Sequence, residues 1–244
     1  MDYNEVFTVA FESLKAQQVR SEFERFIKMM LERKPKRMIE IGTATGGTLY
    51  LFARILDPDL IVSIDKPYDF KNYSSTDEMF TSFGRNVHII RSDSHNERTL
   101  NMVKNIIGNE PVDFLFIDGD HSYEGVKKDF EMYSPLVKRG GIIAFHDICI
   151  HSPDSDVYVK DYWLELKPKY KCTEYIRSDD EEDEKLYKEP NYDSKVDIAI
   201  KGASGFSYGV QLPKPIVEEE KNSCSFVVYR HHESALGIGV IEVE

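Results

Sequence analysis

From Arg37 onward the chain alternates short apolar runs with helix-patterned stretches, and this rhythm leaves few folds open to it. The runs are Met38–Ile41, Leu60–Ile64, Val87–Ile90, Val112–Ile117 and Gly141–Phe145. Each is almost continuous in aliphatic and aromatic residues, the pattern of a strand buried on both faces. Between them, Leu51, Phe52, Ile55 and Leu56 share a helical face that stops at Asp57-Pro58. Leu100, Val103, Ile106 and Ile107 share another that stops at Gly108-Asn109. Tyr123, Val126, Phe130, Tyr133 and Val137 make a third, stopping at Gly140-Gly141. Such alternation predicts an α/β fold, a doubly wound and mostly parallel sheet with right-handed crossovers. In that architecture ligands bind in the crevice beyond the carboxyl ends of the strands.

The flanks are less regular. Residues 1–36 read as a helical segment, with Val19, Phe23, Phe26, Ile27, Met30 and Leu31 on one face and Lys34-Pro35 as its end. The core is expected over residues 37–176, including a helix at Tyr158–Leu166. Residues 177–235 are expected to form an insertion or cap, and their acidic run 179–184 reads as a solvated loop. Residues 236–244 read as an antiparallel C-terminal edge strand. A chain of 244 residues accommodates one large domain with an appendage. Its net charge of −12 argues against gripping nucleic acid or an anionic membrane, since both call for a basic surface. Three widely spaced cysteines (Cys149, Cys172, Cys224) give neither a disulfide framework nor a C-x-x-C zinc site. The start is acidic, no secretory h-region follows, and no apolar run reaches the roughly 20 residues of a membrane span. A soluble cytoplasmic protein is expected, with self-association left open.

The residues that follow each strand carry the chemistry. The first bend is Glu40-Ile41-Gly42-Thr43-Ala44-Thr45-Gly46-Gly47, a G-x-x-x-G-G spacing that differs from the G-x-G-x-x-G of dinucleotide sites. Glycines there permit a sharp turn and the close approach of a ligand. Asp65 closes the second strand, at the roughly 20-residue spacing where an acid can accept from a ribose diol; the other reading is a helix N-cap. Asp93-Ser94, after the third strand, offers an acceptor and a donor to an adenine edge, or an ordinary turn before a helix. The fourth strand ends in Asp118-Gly119-Asp120-His121 and the fifth in His146-Asp147. Asp118 and Asp147 suit a hard divalent cation such as Mg²⁺. His121 or His146 can serve as general base or as a further ligand, and Asp120 as a helix cap.

Residues 37–148 resemble a class I S-adenosylmethionine-dependent methyltransferase, on Glu40-Ile-Gly42-Thr-Ala-Thr-Gly46-Gly47, Asp65, Asp93-Ser94 and the run from Asp113 to Ile148. The last run is similar to small-molecule and sugar O-methyltransferases of the cephalosporin-hydroxylase-like subgroup. The resemblance implies a Rossmann-like methyltransferase fold and S-adenosylmethionine as cofactor. Gly42 and Gly46 would lie under its methionine part, Asp65 would hold its ribose and Asp93 would face its adenine, with Glu40, Thr43 and Ser94 also bordering the cofactor. It further implies Mg²⁺ on Asp118 and Asp147, with His121 taking the substrate proton. His146, which departs from the family pattern, falls beside them as a ligand or second catalytic group, and Asp118 also borders the cofactor. The expected substrate is a small molecule or saccharide. A nicotinamide oxidoreductase, an iron oxygenase using His121, His146 and one aspartate, and a non-catalytic cofactor binder are the competing readings.

Overall fold

Every one of those apolar runs becomes a strand in the computed structural model, which describes residues 2–67, 78–80, 86–149, 156–176, 198–200, 215–221, 224–229 and 236–243. In chain order the strands are β1 (Arg37–Ile41), β2 (Leu60–Asp65), β3 (Asn86–Arg91), β4 (Val112–Ile117), β5 (Val137–His146) and β6 (Lys171–Tyr175). They are followed by β7 (Ile198–Ile200), β8 (Pro215–Lys221), β9 (Cys224–Tyr229) and β10 (Ile238–Glu242). Seven of them form one sheet in the order β3-β2-β1-β4-β5-β10-β6. β1 pairs in parallel with β2 on one side and β4 on the other, Met38 lying opposite both Ile61 and Phe114. The direction of winding therefore reverses at β1 and β4, and a crevice opens beyond their carboxyl ends. β7, β9 and β8 make a separate three-stranded antiparallel sheet. The acidic run 179–184 lies outside the described residues.

β10 pairs antiparallel with β5 on one side and β6 on the other. The chain's last strand is thus one place in from the rim, and the rim strand is β6, which the sequence pattern did not reveal. Lys171-Cys-Thr-Glu-Tyr175 has no apolar run because it is a partly exposed edge.

The helices with bounds among the described residues are α1 (Tyr3–Thr8), α2 (Arg20–Arg33), α3 (Gly47–Leu51), α4 (Glu97–Ile107), α5 (Tyr123–Tyr133) and α6 (Val159–Leu166). π-helical turns extend α1 to Ser13 and α3 to Leu56. Ser122 caps α5 by accepting from the Gly125 amide, and Asn96 caps α4 by accepting from that of Arg98. α5 stops at Tyr133 because a 3₁₀ turn containing Pro135 follows, so Val137, which fits the helical spacing, begins β5 instead.

Both sheet faces are covered. α2 and the turn after α3 bring Phe23, Phe26 and Phe52 against Phe114 and Phe116 of β4, with ring centroids 5.3–6.3 Å apart. The alternate β4 residues, Leu115 and Ile117, face the second core with Phe130, Phe145 and Trp163. Each buried aromatic pair adds about 0.5–1.5 kcal/mol to its area burial. Among the described residues no helix is long and apolar enough to cross a membrane.

The N-terminal segment is not one helix. It breaks after Ser13, and Lys15 takes a left-handed φ of +55° before α2 begins at Arg20. Nothing in Leu14-Lys-Ala-Gln-Gln18 opposes a helix locally, so the break is a tertiary effect: Ala16 is wedged against Gly47.

Candidate active site

Two hydrogen bonds carry the parallel ladder just past the strand ends. The Gly42 amide donates to the Ile64 carbonyl at 2.8 Å, and the Asp118 amide donates to the Ile41 carbonyl at 2.8 Å. They bring the tips of β1 and β4 into contact. Gly42 has φ +99°, and a Cβ there would sit 1.9 Å from the Asp118 carbonyl oxygen. A Cβ on Gly47 would come within 2.6 Å of Ala16. Sequence reasoning gave the space at these glycines to a ligand. At these two positions the chain itself fills it, while Gly46 (φ +86°) supplies the left-handed turn into α3.

Asp65 does not cap a helix among the described residues. Its Oδ2 accepts from the Ala44 amide at 2.9 Å and lies 3.5 Å from Arg91 Nη1, tying the end of β2 to the bend. Burial holds its carboxyl above the usual range, against the pull of the Ala44 amide and Arg91. Glu40 is fully buried beneath the bend and accepts from the Ser63 hydroxyl, which also meets Thr43 at 2.6 Å. Burial pushes the Glu40 carboxyl up to about 8. Asp93 closes a local turn by accepting from the His95 amide, and its other oxygen lies 3.8 Å from Lys66 Nζ. Ser94 is buried, and its carbonyl accepts from the Tyr133 hydroxyl. Asp120 accepts from both the amide and the hydroxyl of Ser122, so it braces the capping residue of α5 and does not itself cap the helix.

The tips of β4 and β5 hold a charge cluster. Asp118 Oδ1 lies 3.2 Å from His121 Nε2 and 3.1 Å from His146 Nδ1. Asp147 Oδ2 lies 3.4 Å from each of the same two nitrogens. Asp147 adopts φ +62°, a conformation uncommon in a non-glycine residue and found mostly at functional turns. Asp118, His121 and Asp147 each offer one ligand atom, all within 4.8 Å of one another. The geometric trio therefore contains His121 where sequence reasoning placed His146. His146 is buried and meets both acids through Nδ1, while its buried Nε2 has no hydrogen-bond partner.

The electrostatics follow from packing two acids against two imidazoles. Burial pushes Asp118 upward, but His146 and His121 outweigh it and hold the carboxyl below its ordinary value. Burial pulls His121 down, yet Asp118 and Asp147 lift it to about 9, and the same two acids raise His146 well above its usual value. Protons on the two imidazoles would offset the charge of the two acids.

Sequence reasoning missed Gln18. The bend between α1 and α2 carries it over the β4 tip, where its Nε2 donates to Asp118 Oδ2 at 2.9 Å. No local pattern marked it, because its position depends on the tertiary break at residues 14–19.

Residues 39–148 match the family model described as "Methyltransferase domain". That stretch runs from β1 to just beyond β5 and includes the bend, Asp65 and the charge cluster. Over residues 39–148 the chain is thus similar to methyltransferase domains. The domain has a viral relative, R132 of Acanthamoeba polyphaga mimivirus, 32% identical over 119 residues that make up 48% of this chain and 53% of that one. The chain thus spans about half the length of that relative. A candidate caffeoyl-CoA O-methyltransferase from Staphylococcus aureus superposes with a TM-score of 0.54 at 25% identity, over 70% of this chain and 85% of its own. The Bacillus cereus O-methyltransferase crystallised with S-adenosylhomocysteine (SAH) matches with a TM-score of 0.55 at 15% identity, over 98% and 90% of the two chains. The latter likeness speaks for the fold of the methyltransferase domain.

Proposed function

We propose that this chain transfers the methyl group of S-adenosylmethionine to a hydroxyl oxygen of a small molecule or saccharide, with a divalent cation on Asp118 and Asp147 and His121 beside it as the group that takes the substrate proton. One observation carries the proposal: the glycine bend and the acid–imidazole cluster touch, Gly42 lying directly against the Asp118 backbone. A cofactor held at the bend and an acceptor held at the cluster would therefore be neighbours. The donor set fits both groups. Three carboxylates (Asp65, Asp118 and Asp147) gather at adjacent strand tips, which suits a sulfonium, an ammonium and a hard dication.

When bound, S-adenosylmethionine supplies an activated methyl group, and a cation of this kind lowers the pKa of a hydroxyl it holds. The chain's own residues do the rest. Gly42, Thr43 and Gly46 would support the methionine part, with Glu40 buried beneath them. Asp65 would take the ribose hydroxyls, and Asp93 with Ser94 would border the adenine. Holding nucleophile and methyl carbon in line is the main protein contribution, about 7–11 kcal/mol for well-oriented reactants. His121 keeps its proton at neutral pH while it and His146 alone balance the two acids. It accepts a substrate proton only once another positive charge takes over that balance.

The test is ligand-dependent melting of the full chain. SAH is expected to raise the melting temperature, by about 2.7 kcal/mol of stabilisation at 100 times its Kd. NAD is expected to leave it unchanged, and stabilisation by NAD alone would overturn the proposal in favour of an oxidoreductase.

A further inference from the structure

The segment between α1 and α2 touches both halves of the site at successive residues. The Lys15 carbonyl accepts from the Thr45 hydroxyl at 3.4 Å, Ala16 fills the space beside Gly47, and Gln18 donates to Asp118. Gln18 is only 8% exposed although its side chain is polar. A carboxylate can only accept, so the amide must turn its nitrogen toward Asp118 and its oxygen the other way. That oxygen, Oε1, is buried and has no hydrogen-bond partner. An acceptor left in this state carries an unmet desolvation cost, and a ligand donor that reaches it recovers that cost.

We infer that Gln18 is a binding residue of this site: its Nε2 orients Asp118, and its Oε1 accepts from the α-ammonium of the cofactor's methionine end. The inference rests on the methyl-transfer reading above. The placement selects the ammonium over the cofactor's other donors. Gln18 stands on Asp118, two residues past the Ala16 that lies beside Gly47, whereas the groups assigned to ribose and adenine, Asp65 and Asp93, are engaged at the β2 and β3 tips. The strap is also what makes Gly47 necessary, because any side chain there would meet Ala16. A neutral acceptor suits the position. A second carboxylate beside Asp118 would have to be neutralised, while an amide binds the acid and the ammonium together.

The experiment measures the affinity of two probes by titration calorimetry on the full chain. SAH carries the ammonium; 5′-methylthioadenosine has the same nucleoside and thioether but lacks the amino-acid end. Gln18→Leu is expected to weaken SAH roughly tenfold or more, in line with a lost hydrogen bond to a charged group, and to leave 5′-methylthioadenosine unchanged. Gln18→Met, equally unable to hydrogen-bond and of similar length, gives the same split if the leucine variant does not fold. Equal weakening of both probes would reduce Gln18 to a structural strap and overturn the inference, as would no weakening of either. Failure of the unmodified chain to bind SAH would instead sink the methyl-transfer reading, and this inference with it.

Discussion

At the tips of β1 and β2 the polar side chains are tied to the protein's own backbone and hydroxyls. Asp65 accepts from the Ala44 amide, Glu40 from the Ser63 hydroxyl, and Gly42 closes against Asp118 with no room for a single methyl. At the tips of β4 and β5, the next two strands along the same edge, two acids and two imidazoles balance one another through contacts of 3.1–3.4 Å. The first side is fixed by shape and the second by charge. A shape-fixed site fails when a Cβ is added; a charge-fixed site fails when one partner is neutralised. That contrast separates the variants below by what each should damage.

The largest effect is expected on the charge side. Asp118→Asn should remove cation-dependent turnover, a loss of about a thousandfold or more, since the cation's several kcal/mol go with it. SAH affinity should stay within about tenfold. Full activity in this variant, or in chelator-treated protein, would show that Asp118 holds no working cation. His121→Ala should lower kcat by roughly 10²–10⁴ if the imidazole handles the substrate proton. A near-normal rate in that variant would transfer the role to His146.

On the shape side, Gly42→Ala should damage the fold before the chemistry. The added Cβ meets a backbone oxygen, and the residue must keep a φ of +99°. Strain and overpacking at about 1–3 kcal/mol each predict a fall in melting temperature on the order of 10 °C for a chain of this size. A variant that melts normally but binds SAH poorly would restore the ligand as the reason for glycine.

Glu40 joins the two sides, because its carboxyl is raised chiefly by burial and further by Asp118 and Asp65. A folded value of about 8 against an ordinary value of 4.5 means that the folded state keeps a proton which the unfolded state releases. This contribution to stability is complete below pH 4.5 and is lost as pH rises toward 8. Glu40→Gln, which cannot ionise, should match the unmodified chain in acid and overtake it by about 1.4 kcal/mol per pH unit across that interval. Parallel denaturation curves from pH 5 to 8 would contradict a buried, protonated Glu40.

The fold was legible because both faces of the central strands are covered. Continuous apolar runs such as Phe114–Ile117 can be little else. The rim strand β6 was illegible for the opposite reason, being half exposed and polar. The strand-tip residues could be named from their places after the strands, but their contacts could not. That Asp118, His121 and Asp147 converge, with His146 against the two acids, depends on the turn at Asp147. Gln18 was invisible because a helix-favouring sequence is broken there by contact with Gly47.

The smallest effect expected lies just outside both sides, where the β3–α4 turn meets α5. His95 Nε2 is 3.1 Å from the Gly125 carbonyl oxygen and 3.1 Å from Oδ1 of the fully buried Asp129, and the nearby carboxylate raises the imidazole above its ordinary 6.5 despite partial burial. A base whose folded pKa is raised contributes stability that is complete below 6.5 and disappears as pH passes the folded value. Asp129→Asn removes the partner, so the unmodified chain should lead in melting temperature at pH 6 and lose that lead by pH 9. This turn also carries Asp93 and Ser94, so the comparison extends to binding. If the pair merely fastens the turn, SAH affinity in Asp129→Asn should fall by no more than a few fold. A loss as large at pH 9 as at pH 6 would show that the turn depends on the Asp129 carboxylate itself and owes nothing to the charge on His95.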